Sequence, residues 1–171
     1  MIRFAALLHQ VAKSEVQVTD DPGEQCFLKY GEPGAKKAKD IMHRLKFDNE
    51  TTDMVARLVA AHDDIMELSV SKEENLAAMR HKMHRLGPDM MELLFELQRA
   101  QIVAGNPETA EAKLSVLAEI KELHKEVVAN SDCVSLKQLA VNGKDIIELG
   151  AVPGKQLGEL LEQLLQKVLD N

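Results

Sequence analysis

Apolar residues recur at helical spacing in segment after segment of this chain, and nowhere do they alternate over a length that a strand could use. Ala35, Ala38, Ile41, Met42 and Leu45 share one helical face, as do Met54, Val55, Leu58, Val59 and Ala61. Leu114, Leu117, Ile120, Leu123 and Val127 repeat the pattern further on. It predicts an all-α fold, in which each apolar stripe is buried against another helix. The supply of side chains agrees. Aromatic residues are 3% of the 171, with one Tyr and no Trp. The core is therefore built from Leu, Ile, Val, Ala and Met, which favours helices over strands.

Punctuation divides the stripes. Phe4 to Lys13 reads as a buried helix with one polar pair, His9-Gln10, among small and apolar residues. Burying an unpaired polar group costs roughly 1–3 kcal/mol, so both side chains need partners. A loop is expected over 14–33. It holds a turn at Asp20-Asp21-Pro22-Gly23, a breaker set at Gly31, Pro33 and Gly34, and between them an apolar knot of Cys26, Phe27 and Leu28. Helices are expected over 34–47 and 51–63, the second capped by Thr51 or Thr52. Ser71 and Glu74 read as a capping box for a helix to Leu86, and Gly87-Pro88 ends it and starts the next. Residues 89–104 form a dense apolar helix, in which Met90 and Met91 read as core packing. Gly105-Asn106-Pro107 breaks again before a long helix over 108–129. A boundary is expected at Asn130-Ser131-Asp132. Beyond it, a capping box at Ser135-Gln138, a turn at Asn142-Gly143 and a break at 150–154 lead to a last helix over 155–170.

The net charge of −7 argues against strong polyanion binding by the chain as a whole, because such affinity comes from neutralising phosphates with Lys and Arg. The charge is uneven, however. Lys36, Lys37, Lys39, Arg44 and Lys46 against Asp40 leave +4 within eleven residues, which is either a solvated face or a surface for a nucleic-acid backbone. Arg80, Lys82 and Arg85 with His81 and His84 make a second basic run. The two histidines stand three apart, but no third metal ligand is evident. Pro153-Gly154-Lys155 can present backbone N–H groups and an ammonium to a phosphate, or is simply a good helix start. Cys26 and Cys133 sit in no CxxC spacing, so neither a zinc signature nor a disulfide framework is present and a cytoplasmic setting is expected. No apolar run is long enough to span a membrane, and the N-terminal run lacks the features of a signal peptide. The chain opens inside a helix with no cap before Ile2, which reads as a piece of something longer.

The order of motifs resembles the C-terminal helical half of bacterial tRNA nucleotidyltransferases (CCA-adding enzymes) and the related poly(A) polymerases. That half carries a domain of the HD phosphohydrolase superfamily. The resembling residues are R-F-A-A-L-L-H-Q at 3–10, P-G-A-K-K-A at 33–38, R-L-K-F-D-N at 44–49 and L-V-A-A-H-D at 58–63. They continue as H-R-L-G-P-D at 84–89, L-Q-R-A-Q at 97–101, S-L-K-Q-L-A-V-N-G-K-D at 135–145 and P-G-K-Q-L-G at 153–158. The departures are equally specific. Where the family usually reads L-L-H-D-I-G-K-P, this chain has L-L-H-Q-V-A-K-S at 7–14, so Gln10 replaces an aspartate. Where many relatives have G-H-F-x-x-H, it has Q-C-F-L-K-Y at 25–30. The later R-A-D becomes Arg99-Ala100-Gln101.

The resemblance implies an HD-domain-like helical bundle over 1–104, a connecting helix over 105–130 and a small C-terminal helical tail over 131–171. Of the superfamily's ligands only His9, His62 and Asp63 survive. Hard divalent ions need carboxylate oxygens as well as imidazole, so the implied metal site is degenerate and no cofactor is expected. The polymerising chemistry is missing too: no strand, no Gly-Gly and no D-x-D motif occurs. What remains is an RNA-binding module, holding tRNA or another structured RNA by shape and phosphate contacts while an upstream head domain does the chemistry. The expected contacts are Lys36, Lys37, Arg44, Lys46, Lys144 and Lys155. Two other readings stand beside it. One is a divergent phosphohydrolase acting on nucleotides or cyclic phosphates, with Mg, Mn or Ni held by His9, His62 and Asp63. The other is a helical interaction protein that does not bind RNA.

Overall fold

Eight α-helices carry the fold in the computed structural model, which describes residues 1–15, 17–21, 24–27, 30–64, 66–130, 132–150 and 152–170, with the backbone alone for 17–21, 24–27 and Pro88. They are α1 (Ile2–Leu8), α2 (Gly31–Arg44), α3 (Asn49–Ala61), α4 (Lys72–Leu86), α5 (Pro88–Ala104), α6 (Pro107–Ala129), α7 (Gly143–Glu148) and α8 (Lys155–Asp170). Short 3-10 turns occupy Lys13–Glu15 and Leu136–Gln138. The fold class is all-α, as the helical periodicity predicts. One departure lies inside the expected loop: β1 (Gln17–Asp21) and β2 (Glu24–Phe27) pair antiparallel, with Gln17 opposite Phe27 and Val18 opposite Cys26. Strands of five and four residues are too short to show a two-residue period in sequence. The side chains of the expected Cys26-Phe27-Leu28 knot, the expected Pro22-Gly23 turn and Ser131 of the expected boundary lie outside the described residues.

The chain divides into two compact units, one of Met1–Met66 with Pro88–Leu117 and one of Glu67–Gly87 with Ala118–Asn171. Within the second unit α4 is tied to residues far along the chain: Arg80 Nε donates to Asp132 Oδ2 at 2.8 Å and its Nη1 to the Leu169 carbonyl at 3.0 Å.

In the first unit, α2 and α3 pack as a pair, α1 lies against α3 and α5, and α3 lies against α5. Ala5, Leu8, Ala38, Met42, Val55, Leu58, Val59, Met91, Leu94 and Phe95 are buried here. The first helix is shorter than its sequence suggests. It ends at Leu8 with His9 as C-cap, and buries only Ala5 and Leu8. Gln10 is exposed, so the expected buried polar pair is not formed and the Gln10 amide faces water.

Helix α2 begins at Gly31, three residues before the expected start. Pro33 falls in its first turn, where the missing N–H is not needed. Its far end is a Schellman arrangement: Lys46 N–H donates to the His43 carbonyl at 2.9 Å and Phe47 N–H to the Met42 carbonyl at 3.1 Å. Lys46 takes the left-handed position at φ 61°, and the Phe47 ring then meets Phe4 edge-on with centroids 4.7 Å apart. The cap of α3 is Asp48, whose Oδ1 accepts the Thr51 N–H at 2.8 Å, rather than Thr51 or Thr52. That hydrogen bond holds the Asp48 carboxyl below the usual carboxylate range. Thr52 points inward and is buried.

In the second unit, α8 packs against α4 and α7 and buries Leu165 and Leu169. Each such burial is worth roughly 1.5–3 kcal/mol. Ser71 caps α4 by accepting the Glu74 N–H at 3.3 Å, but the Glu74 carboxylate turns to the Ser69 hydroxyl, so only half of the expected box forms. At Ser135-Gln138 the Gln138 Oε1 accepts from Val134 N–H and from the Ser135 hydroxyl, which yields a 3-10 turn and no box. The reciprocal box is at Asn142 and Asp145, where it starts α7.

Candidate functional site

The basic residues of α2 divide by what they touch. Lys37 is paired with Glu15 of the first 3-10 turn, and Lys39 reaches across to Asp53 of α3 at 2.7 Å. Lys36, Arg44 and Lys46 are exposed and have no ion-pair partner among the described residues. An anion approaching these three has no internal carboxylate to displace first.

The register of α2 on α3 follows from three close approaches. A Cβ on Gly31 would run into the Ala60 carbonyl and the Asp63 carboxylate, and one on Gly34 would lie 3.2 Å from Val59. Lys39 meets Asp53. As the α2 number rises the α3 number falls, so the helices are antiparallel and Lys36 stands level with Arg57. Along the outer seam, then, come Lys36 with Arg57, Lys39 with Asp53, and His43 one turn further. Asp53 is the acidic member of this row. The Lys39 ammonium holds its carboxyl below the usual carboxylate range, and the positive charges of His43 and Arg57 add to the effect. Sequence reading singled out neither Arg57 nor His43 as a site residue. The i,i+4 spacings Lys39–His43 and Asp53–Arg57 were visible, but the facing of one helix on the other was not.

Of His9, His62 and Asp63, the two histidines come together. His9 and His62 are the C-caps of α1 and α3, and their rings lie 5.3 Å apart, edge to face. His9 Nδ1 is 2.7 Å from the Ala6 carbonyl and His62 Nδ1 is 2.6 Å from the Val59 carbonyl. A carbonyl only accepts, so Nδ1 carries the proton in both rings. Tyr30 packs on His62 from the other side at 5.1 Å. His62 is 2% exposed and its Nε2 has no hydrogen-bond partner among the described residues. Burial pushes the His62 imidazole below its ordinary pKa, so it is neutral near pH 7. The Tyr30 hydroxyl is pushed up, first by burial and then by the nearby Asp63 charge.

Asp63 is engaged otherwise. Its Oδ2 accepts the Tyr30 N–H at 2.9 Å and the Gly31 N–H at 3.0 Å. Tyr30, the N-cap of α2, supplies no side-chain cap of its own. Asp63 therefore caps α2 from α3's end, placing a carboxylate on the helix N-terminus. Gly31 is required there because the helix start lies against the α3 backbone. Among the described residues, no group of three or more His, Cys, Asp or Glu is arranged to hold a metal ion.

The remaining candidates lie in the second unit. Lys144 is exposed in the first turn of α7, and Lys155 is exposed at the start of α8, 3.5 Å from Glu159. His81 and His84 turn to different partners: His81 Nε2 is 2.7 Å from Asp170, while His84 Nδ1 donates to the Val134 carbonyl at 3.1 Å and its Nε2 is 3.3 Å from Glu162. They tie α4 to the residues beside it and do not converge on one point. No helix among the described residues is long and apolar enough to cross a membrane.

A family model described as tRNA nucleotidyltransferase domain 2 matches residues 31–171. The match opens on Gly31, the first residue of α2, and takes in Asp53, Arg57, His62 and Asp63, while His9 falls outside it. Neither the curated proteins nor the solved structures returned a match.

Proposed function

The chain belongs to the tRNA nucleotidyltransferase domain 2 family, and from that premise we propose that it is an RNA-binding helical region that holds tRNA or a similarly structured RNA for a nucleotidyltransferase head domain. The observation that carries this reading is the family match, which covers both units from α2 onward. The exposed cations of α2, Lys36, Arg44 and Lys46, support a phosphate-binding face, with Lys37 drawn to Glu15 and therefore a weaker contact. Lys144 and Lys155 are the second unit's contributions. A-form RNA is recognised through its shape and backbone, which suits a rigid helix pair carrying spaced cations.

In this reading the His9–His62–Asp63 site is a degenerate HD centre and the chain does no polymerisation by itself. The donor chemistry fits a divalent ion poorly. Imidazole ligands bring no charge to a metal ion, and one Asp63 oxygen is already committed to two backbone N–H groups. The phosphohydrolase reading is accordingly not favoured.

Binding of an unfractionated tRNA pool, followed by fluorescence anisotropy across a salt series, tests the proposal. Neutralising about four phosphates gives a slope of log K against log salt near −3 to −4. Reversing Lys36 and Arg44 together to Glu should abolish most of that binding. No measurable binding of wild type at the lowest salt would overturn the reading and leave a protein-interaction role.

A further inference from the structure

We propose that the seam between α2 and α3 is a phosphate-binding row whose cations are Lys36, Lys39 and Arg57, with Asp53 as a built-in counterion that the bound phosphate displaces. This inference rests on the RNA-binding reading and adds Arg57 and Asp53, which sequence reasoning did not assign.

The geometry carries it. Lys39 and Asp53 lie on different helices and meet at 2.7 Å, with side chains 47% and 60% exposed. An ion pair so open to solvent adds little to stability, because water and salt screen it and two long side chains must be held still. Its members are thus available at small cost. The antiparallel register places Arg57 level with Lys36, one helical turn from Lys39, so cations from both helices line one edge. Two helices locked by the close approach at Gly31 and Gly34 present these charges at a fixed spacing, which one flexible helix would not. Arg57 also supplies a planar fork of donors that can take two phosphate oxygens at once. His43, one turn beyond Lys39, continues the row and strengthens it when protonated.

Asp53 makes the idea specific. Without RNA, its carboxylate neutralises Lys39 and keeps the local charge low. When a phosphate arrives, the Lys39 ammonium exchanges one oxyanion for another and Asp53 is left facing the backbone of the RNA. The carboxylate therefore opposes binding, and its removal should tighten it. A surface in which Asp53 is merely part of a solvated face makes the contrary prediction, that neutralising it does no more than neutralising any other acid.

The full chain is titrated with the same tRNA pool, beside Arg57→Gln, Asp53→Asn and Glu119→Gln, each checked for helix content by circular dichroism. Glu119 is exposed on α6 and belongs to the second unit, and its substitution makes the same change in net charge as that at Asp53. Asp53→Asn should tighten binding about fivefold, Arg57→Gln should weaken it about fivefold with a salt slope smaller by about one, and Glu119→Gln should shift it less than about 1.5-fold. Equal tightening by Asp53→Asn and Glu119→Gln overturns the proposal, since the effect is then one of net charge. Wild-type affinity in Arg57→Gln overturns it as well, even where reversing Lys36 and Arg44 abolishes binding; in that case the RNA-binding reading survives and the seam does not. Absence of tRNA binding by wild type removes both.

Discussion

Each unit of the molecule holds a pair of histidines, and the two pairs differ in where their carboxylates are. In the first unit His9 and His62 face each other and donate to their own helices, while the adjacent Asp63 turns away to cap α2. In the second, His81 and His84 each face an acid, Asp170 and Glu162, on α8. Two imidazoles without an acid between them are a packing element. Two imidazoles with separate acids are an interhelical tie. The comparison shows that a histidine's neighbours, more than its presence, decide what it does. It also shows how a carboxylate can order a helix other than its own neighbour: Asp63 caps the start of α2, the helix that bears the exposed cations.

The sharpest way to break that contrast is to remove one acid from each side. Asp63→Ala strips two charge-assisted hydrogen bonds from the α2 start and should cost about 2–3 kcal/mol of stability. Asp170 is 69% exposed beside His81, and Asp170→Ala should cost less than about 1 kcal/mol. Urea unfolding midpoints at constant m-value read both directly. Equal losses would mean that Asp63 is no more than another surface acid.

This cap also marks the limit of what the sequence discloses. The helices are legible because their stripes carry a 3.6-residue period, and the density of Met90, Met91, Leu94 and Phe95 correctly places α5 in the core. The start of α2 is not legible, because the acid that caps it lies some thirty residues on and no local residue signals it. Gly31, Pro33 and Gly34 look like loop punctuation when read locally. In the fold, Pro33 sits in a first turn and Gly31 makes room for the α3 backbone. The α1 error has the opposite origin. Phe4 to Lys13 is apolar enough to suggest burial, yet α1 buries Ala5 and Leu8 alone among its residues, and Leu7 remains 76% exposed. For the site, the basic run of α2 is plain in sequence. Arg57 is not, because its place beside Lys36 depends on the α2–α3 register.

A second test sharpens the contrast through pH. His62 is held neutral by burial, so its folded pKa lies below the value near 6.5 of an unfolded histidine. As pH falls below about 6.5 the unfolded chain takes up a proton that the folded chain refuses, and stability declines until the folded pKa is passed. The contribution is whole above about 6.5 and lost toward acid. Thermal melts of wild type between pH 7.5 and 5 should show this decline, and His62→Gln should show a smaller one. Parallel curves for the two proteins would show that His62 does not titrate against folding.

The smallest expected effect sits where structure and binding pull in opposite directions. Lys46 ends α2 in the left-handed region at φ 61°, a conformation that costs a residue with a Cβ about 1 kcal/mol and costs Gly nothing. Lys46→Gly should therefore stabilise the first unit by about 0.5–1 kcal/mol, with Phe47 still reaching Phe4. The same change removes one exposed ammonium from the proposed RNA face, so tRNA affinity should fall and the salt slope shrink by about one. Lys46→Arg separates the two effects, since it keeps the charge and the strain and should leave both stability and affinity close to wild type. A Lys46→Gly protein that is more stable and binds tRNA as wild type does would remove Lys46 from the contact set. One that binds less but gains no stability would show that the Schellman turn carries no strain at this residue.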